Sequence, residues 1–246
     1  EVFGILTLVW GLIGYFSLFD LGLGRALTQQ VAQSLAGGPD RELPSLIKSG
    51  LLLAGATGLA GGVLLALLAH PLATDWLKVS PALHQDAFHA LLFAALGVPV
   101  ATVTAGLRGV LEAYEDFRDV NLLRMLLGAA TFGLPVLSVV CFGPSLLGMV
   151  AALIAARLII AAAHVVLVHR RLGAGWMQAR LMSGKLRGLL SFGAWMTLSN
   201  VISPLMVTAD RFFISAALGA AVVAYYIVPS EVITRATILP GALTGA

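Results

Sequence analysis

The stretch FSLFDLGLGRALTQQ, residues 16–30, decides how this chain is read. It closes an apolar run: residues 2–19 carry no charge, and Asp20, two glycines and Arg25 then follow in close succession. An uncharged run of that length crosses a hydrocarbon core about 30 Å thick when it is helical. Asp20 and Arg25 fall at its end, where both reach headgroup water at small cost. The glycines permit a neighbouring helix to pack closely. GLGRAL does not spell a nucleotide-binding loop, because no third glycine follows and no strand–helix unit surrounds it.

Composition extends this reading to the whole chain. Of 246 residues, 59% are hydrophobic and only 11% are charged, with a mean hydropathy of +0.96. Soluble domains carry about 25% charged residues. One core cannot absorb so much apolar side chain, so lipid must solvate most of it. The formal charge of +3 and the pI near 9.4 do not indicate a nucleic-acid partner, because the basic residues form no cluster on a polar domain. Cys141 stands alone in an apolar run, which excludes an internal disulfide. No initiator Met or basic segment precedes the first apolar run, so residue 1 is not expected to open a signal peptide. The last residues, ILPGALTGA, stop inside an apolar run. The expectation is a fragment cut at both ends.

Seven stretches are long enough to span a membrane: about 3–27, 46–69, 87–111, 120–142, 146–168, 189–213 and 221–245. AGGPDRELP, HPLATDWLKVSPALHQD, EAYEDFRD, FGPS and HRRLGAGWMQARLMSGKLRG separate the first six. No soluble domain fits between any two. Charge orients the spans, because Lys and Arg concentrate on the cytoplasmic side. Arg25, Arg41 and Lys48 lie near the first loop, Arg108, Arg118 and Arg124 near the third, and Arg170, Arg171, Arg180, Lys185 and Arg187 near the fifth. Against these eleven, the even loops offer Lys78 alone. Odd loops are therefore expected in the cytoplasm and residue 1 on the outer side. One further span upstream would restore a cytoplasmic N-terminus.

Three segments carry a family resemblance. EVFGILTLVWGLIGYFSLFDLGLGRALTQQVAQ resembles the second membrane helix of bacterial polysaccharide flippases, the O-antigen and capsule exporters of the multidrug/oligosaccharidyl-lipid/polysaccharide superfamily. ADRFFISAALGAAVVAYYIVPSEVITRATILPGAL, residues 209–243, resembles that family's seventh and eighth helices. LRGVLEAYEDFRDVNLLR resembles the loop between its fourth and fifth. The patterns are loose, and Gln29 stands where a basic residue is frequent.

The resemblance implies an all-α, multi-pass helical bundle, a fragment of a two-lobe transporter of 12 to 14 helices. This chain would hold the second through the eighth. Residues 1–172 would form a truncated N-terminal lobe, 173–188 a cytoplasmic linker and 189–246 the start of the C-terminal lobe. It also implies a substrate, an undecaprenyl-pyrophosphate-linked oligosaccharide flipped by alternating access across the bacterial cytoplasmic (inner) membrane. An ion or proton gradient would return the empty carrier. The implied partners are the lipid bilayer, a polysaccharide polymerase and a chain-length regulator; no cofactor is implied.

Ionisable residues inside spans cost ~2.5–3.5 kcal/mol each at the bilayer centre and so mark candidate sites. Arg157 falls near the middle of the fifth span with no acidic residue in that span. His164, seven residues on, shares its face. Asp210 and Arg211 lie in the sixth span. Glu231 and Arg235, four apart in the seventh, can pair near the midplane. Each is either an interhelical staple or a functional group. Arg157, His164, Asp210 and Arg211 are the cavity candidates. Glu231 and Arg235 form a candidate gating or coupling pair, for which Asp20 and Arg25 would be exchange partners on the opposing lobe. Pro99, Pro135, Pro204, Pro229 and Pro240 all fall within spans and favour bent helices. In the fifth loop, Trp176, Met177, Leu181 and Met182 alternate with basic residues, as in a segment lying on anionic lipid or an ordinary positive-inside loop.

Two other classes are weaker. A drug/cation antiporter needs an acidic cavity, and the mid-span charges here are mixed. A polymerase or glycosyltransferase needs an acidic motif or a large outer loop, and residues 71–86 offer only Asp75 and Asp86. No metal-ligand spacing or Ser–His–Asp arrangement is readable, so the chain is not expected to be an enzyme.

Overall fold

A computed structural model describes residues 22–38, 42–76, 81–143 and 145–181, with isolated helical positions at 188, 191, 193, 195, 198 and 202. The chain divides into two units, Glu1–Met196 and Thr197–Ala246, and every element below belongs to the first. The elements are α1 (Leu23–Ala36), α2 (Leu43–Pro71), α3 (His84–Ala113), α4 (Phe117–Phe142) and α5 (Leu146–Leu172). A π turn follows α2 at Leu72–Trp76, and 3-10 turns lie at Pro81–Leu83 and Ala174–Gln178. No strand occurs among the described residues. The class is all-α, as expected, and α2 to α5 are each long and apolar enough to cross a membrane.

The helix ends follow from local chemistry. Pro44 falls in the first turn of α2, where its missing N–H leaves no bond unmade. Ser145 caps α5 by accepting from the Gly148 amide at 3.2 Å. His169, Arg170 and Arg171 occupy the last turn of α5, next to its negative dipole end. Pro99 and Pro135 sit inside α3 and α4 without ending them.

One sequence-based boundary is corrected. Gly22 adopts φ 65°, ψ 13°, a left-handed conformation that only glycine takes freely. A continuous helix therefore cannot run through residue 22 to residue 27. Residues 23–27 instead begin α1, which carries the polar LTQQVAQS on to Ala36. Leu23, Ala26, Leu27 and Val31 bury one side of α1, while Arg25, Gln29 and Gln33 are exposed on the other.

α3 is the central helix, packed against α1, α2 and α5. One core cluster joins the C-terminal half of α2 to the starts of α3 and α5; another joins α1 to the opposite halves of the same helices. Lipid is as apolar as leucine, so close fit rather than expulsion of water must hold these contacts. Gly109 of α3 shows how close the fit is. A Cβ there would run into the Gly24 carbonyl oxygen of α1 and stand 2.8 Å from Thr28 Oγ1. α4 differs: it leans mainly on α5 and leaves Met125, Phe132, Val136 and Val140 exposed.

The loop after α5 folds back on the bundle. Trp176 is 7% exposed and joins the cluster around α1. Lys48 of α2 donates through Nζ to the Ala179 carbonyl at 3.0 Å. Of the aromatic and apolar residues expected on a lipid surface, Met177 and Leu181 are exposed and Trp176 is not.

Candidate functional site

Arg157 sits in the middle of α5, at the level where a cation is most costly in lipid. It is half-buried and has no hydrogen bond or ion pair among the described residues. Its side chain lines a cavity of about 250 Å³ where α3, α4 and α5 meet. Ala101, Thr104, Ala105 and Arg108 line it from α3, Leu127 from α4, and Ile160 with Arg157 from α5. The α3 residues recur at spacings of three and four, so they share one face. Three of the four are small, which leaves open the space into which the arginines reach.

The cavity is electropositive. Arg108 has one carboxylate neighbour, Glu112, one turn along α3 with 3.4 Å between Nε and Oε1. Both side chains are partly solvated, so that pair is loose. Arg108 Nε makes no hydrogen bond. The wall adds no competing charge: Thr104 gives its hydroxyl proton to the Val100 carbonyl at 2.6 Å. Two guanidinium groups with one partly engaged carboxylate offer N–H donors of the kind an anion accepts from. Arginine matches phosphate oxygens with parallel N–H donors. A cavity of about 250 Å³ admits a charged headgroup more readily than an oligosaccharide.

His164 is not among the residues that line this cavity. It is 2% exposed, and its Nδ1 lies 2.8 Å from the Ile160 carbonyl. A carbonyl only accepts, so Nδ1 carries the proton and Nε2 is left as an unpartnered acceptor. Ile160, which fixes the ring, does line the cavity. Arg25 is exposed in the first turn of α1 with no ion pair among the described residues. Asp20, Asp210, Arg211, Glu231 and Arg235 lie outside the described residues, as do Pro204, Pro229 and Pro240. No group of three or more His, Cys, Asp or Glu that could hold a metal occurs among the described residues.

Arg108 was missed in the sequence because it reads as a loop-flanking positive charge. The available signal was the Ala101, Thr104, Ala105, Arg108 stripe, which places small residues and a cation on one helical face. That Arg157 of another helix points at the same space is a product of packing.

The family model described as "Polysaccharide biosynthesis protein" matches residues 1–241. A curated relative from Shigella flexneri, named "Putative O-antigen transporter", is 32% identical over 244 residues. The alignment covers 99% of this chain and 57% of the relative, so the chain spans somewhat over half of that protein's length. No solved structure matches the chain.

Proposed function

Because the chain belongs to the polysaccharide biosynthesis protein family of membrane transporters, we propose that it is the part of a flippase that grips the charged linkage of a lipid-linked oligosaccharide. The substrate in this reading is an undecaprenyl-pyrophosphate-linked O-antigen, capsule or exopolysaccharide unit. It moves across the bacterial inner membrane by alternating access, and no covalent chemistry is involved. The observation that supports the reading is the meeting of Arg108 and Arg157 in one cavity, with no carboxylate paired to Arg157 among the described residues. A cationic cavity inside a membrane bundle is costly unless an anion visits it. Pyrophosphate is an anion of the right size and offers oxygens to both guanidinium groups. The same cavity disfavours a cationic drug.

Odd loops face the cytoplasm in this proposal. Glu231 with Arg235, and Asp20 with Arg25, are its gating or coupling charges, and Asp210 and Arg211 its further cavity groups.

The test is export of the lipid-linked glycan by the full-length transporter carrying Arg157→Ala, Arg108→Ala or both. Each alanine variant is expected to insert and accumulate but to lose export. Arg157→Lys keeps charge without the planar fork and is expected to retain part of it. Wild-type export by the double variant overturns the proposal. Loss of the protein itself assigns the arginines to folding.

A further inference from the structure

A second feature lies across α3 from the arginine cavity. Val103 and Leu107 of α3, with Leu51, Gly55 and Leu59 of α2 and Trp176 of the loop after α5, line an apolar groove of about 620 Å³. A further groove of about 490 Å³ continues from it between Gly62, Val63 and Ala66 of α2 and Phe93 and Leu96 of α3. Leu59 and Pro99 line both, so the two grooves lie end to end along the bundle and are treated together as one channel. From Lys48 to Ala66 it follows α2 for about 27 Å at 1.5 Å per residue. That exceeds the ~15 Å depth of one leaflet.

The channel is apolar along its length and polar at one end. Lys48 lines that end and uses one of its three ammonium protons on the Ala179 carbonyl, which leaves two. Trp176 lines the same end, more than nine-tenths buried, and its enclosed Nε1–H has no acceptor among the described residues. Arg180 is exposed in the same loop. An apolar trough with a cation at one end matches an amphiphile with an anionic head. The anion proposed for Arg108 and Arg157 has a separate site, because Val103 and Leu107 lie on a different face of α3 from Thr104, Ala105 and Arg108.

We propose that this channel holds one acidic phospholipid of the surrounding bilayer, with its phosphate at Lys48, beside Trp176, and one acyl chain laid along Leu52 and Leu59. The lipid belongs to the leaflet on the Lys48 side, and it clamps the loop after α5 to α2. This assignment is independent of what the transporter carries.

The test uses the full-length protein with Trp176 as its single tryptophan, the others replaced by phenylalanine. It is reconstituted in phosphatidylcholine vesicles containing a minor fraction of either brominated phosphatidylglycerol or brominated phosphatidylcholine. The acidic lipid is expected to quench Trp176 about fivefold more effectively, the preference that one cation confers on an acidic headgroup. Lys48→Gln should bring the two lipids to parity. Gly55→Leu should fill the channel and reduce quenching, and a Cβ at Gly55 meets only Val103 at 3.6 Å, so α2 tolerates it. Equal quenching by both lipids in the unsubstituted protein overturns the proposal in favour of ordinary boundary lipid. Weak quenching by both overturns it in favour of coverage by protein.

Discussion

The guanidinium of Arg171, in the last turn of α5, holds both carboxylate oxygens of Asp116, the residue that starts α4. Nε donates to one oxygen and an Nη to the other, the parallel fork that only arginine offers. The pair closes the open end of the α4–α5 hairpin. α4 otherwise leans on α5 and buries Val120 in the cluster around α1, so this bond is one of the ties that fix its first turn. Arg171→Lys keeps the charge and loses the fork, and Asp116→Asn loses the charge. Both are expected to lower the thermal midpoint of the purified protein in detergent. The difference should shrink at high salt, because Arg171 is half exposed. An unchanged midpoint in Asp116→Asn would show that the contact holds nothing.

Tyr114 follows α3 at the same end of the bundle and gives a pH-dependent readout. Burial pushes its phenol above the ordinary value of 10, and the nearby Arg171 cation pulls it part of the way back. A raised folded value favours the neutral form in the folded state. Its contribution to stability is therefore complete below pH 10 and is lost as pH rises through the raised value. In an alkaline titration followed by phenolate absorbance, Tyr114→Phe should remove one step that lies above the ordinary tyrosine range. Arg171→Gln should move that step higher. A step at the ordinary position would contradict the burial of the ring.

The glycines of the bundle should divide into two kinds. Gly109 meets the backbone of α1, so Gly109→Leu must push the helices apart, at a cost of about 1–3 kcal/mol or more. Gly128 of α4 faces open space, so Gly128→Ala should gain up to about 1 kcal/mol of helix propensity. Thermal midpoints of the two variants check the contrast. Equal effects would contradict the close approach of α1 and α3.

His164 separates a structural from a transport role. Its buried Nε2 has no partner, so His164→Leu fills similar space without an orphaned acceptor. The variant is expected to fold with a stability within about 1 kcal/mol of the parent or above it, and to export normally. A stable His164→Leu protein that fails to export would place the imidazole in the transport cycle.

Orientation is open to a direct measurement. Gln85 begins α3 and Gln178 lies in the loop after α5, and both are exposed. In a Cys141→Ser background, Gln85→Cys should react with a membrane-impermeant thiol reagent in intact cells. Gln178→Cys should react only after the membrane is opened. Labelling of Gln178→Cys from outside would reverse the assignment drawn from the Lys/Arg asymmetry.

Four spans of the described region were legible in the sequence, and their ends needed only small extensions. The reason is that hydrocarbon thickness, breaker residues and helix caps act locally. A run from Leu146 to Leu172, opened by a serine and closed by a glycine, contains its own start and stop. The break at Gly22 was not legible, because a glycine after an apolar run serves equally as a helix-packing residue or a left-handed turn. The exposed lysine and arginine counts were likewise local information, and so was the oddity of a mid-span Arg157.

Sequence alone thus determined that lipid is the solvent, that the chain is a helical bundle, and that Arg157 has no charge partner on its own helix. Tertiary structure decided what that arginine faces. Each helix carries its side-chain stripe in a fixed register, but the rotation of α3 against α5 is set by which small residues allow the helices to approach. That rotation brings Arg108 to Arg157, turns His164 inward and leaves Val103 and Leu107 on the far side of α3 beside Trp176. No spacing within one span encodes it, because it is the joint outcome of contacts between segments that the chain holds dozens of residues apart.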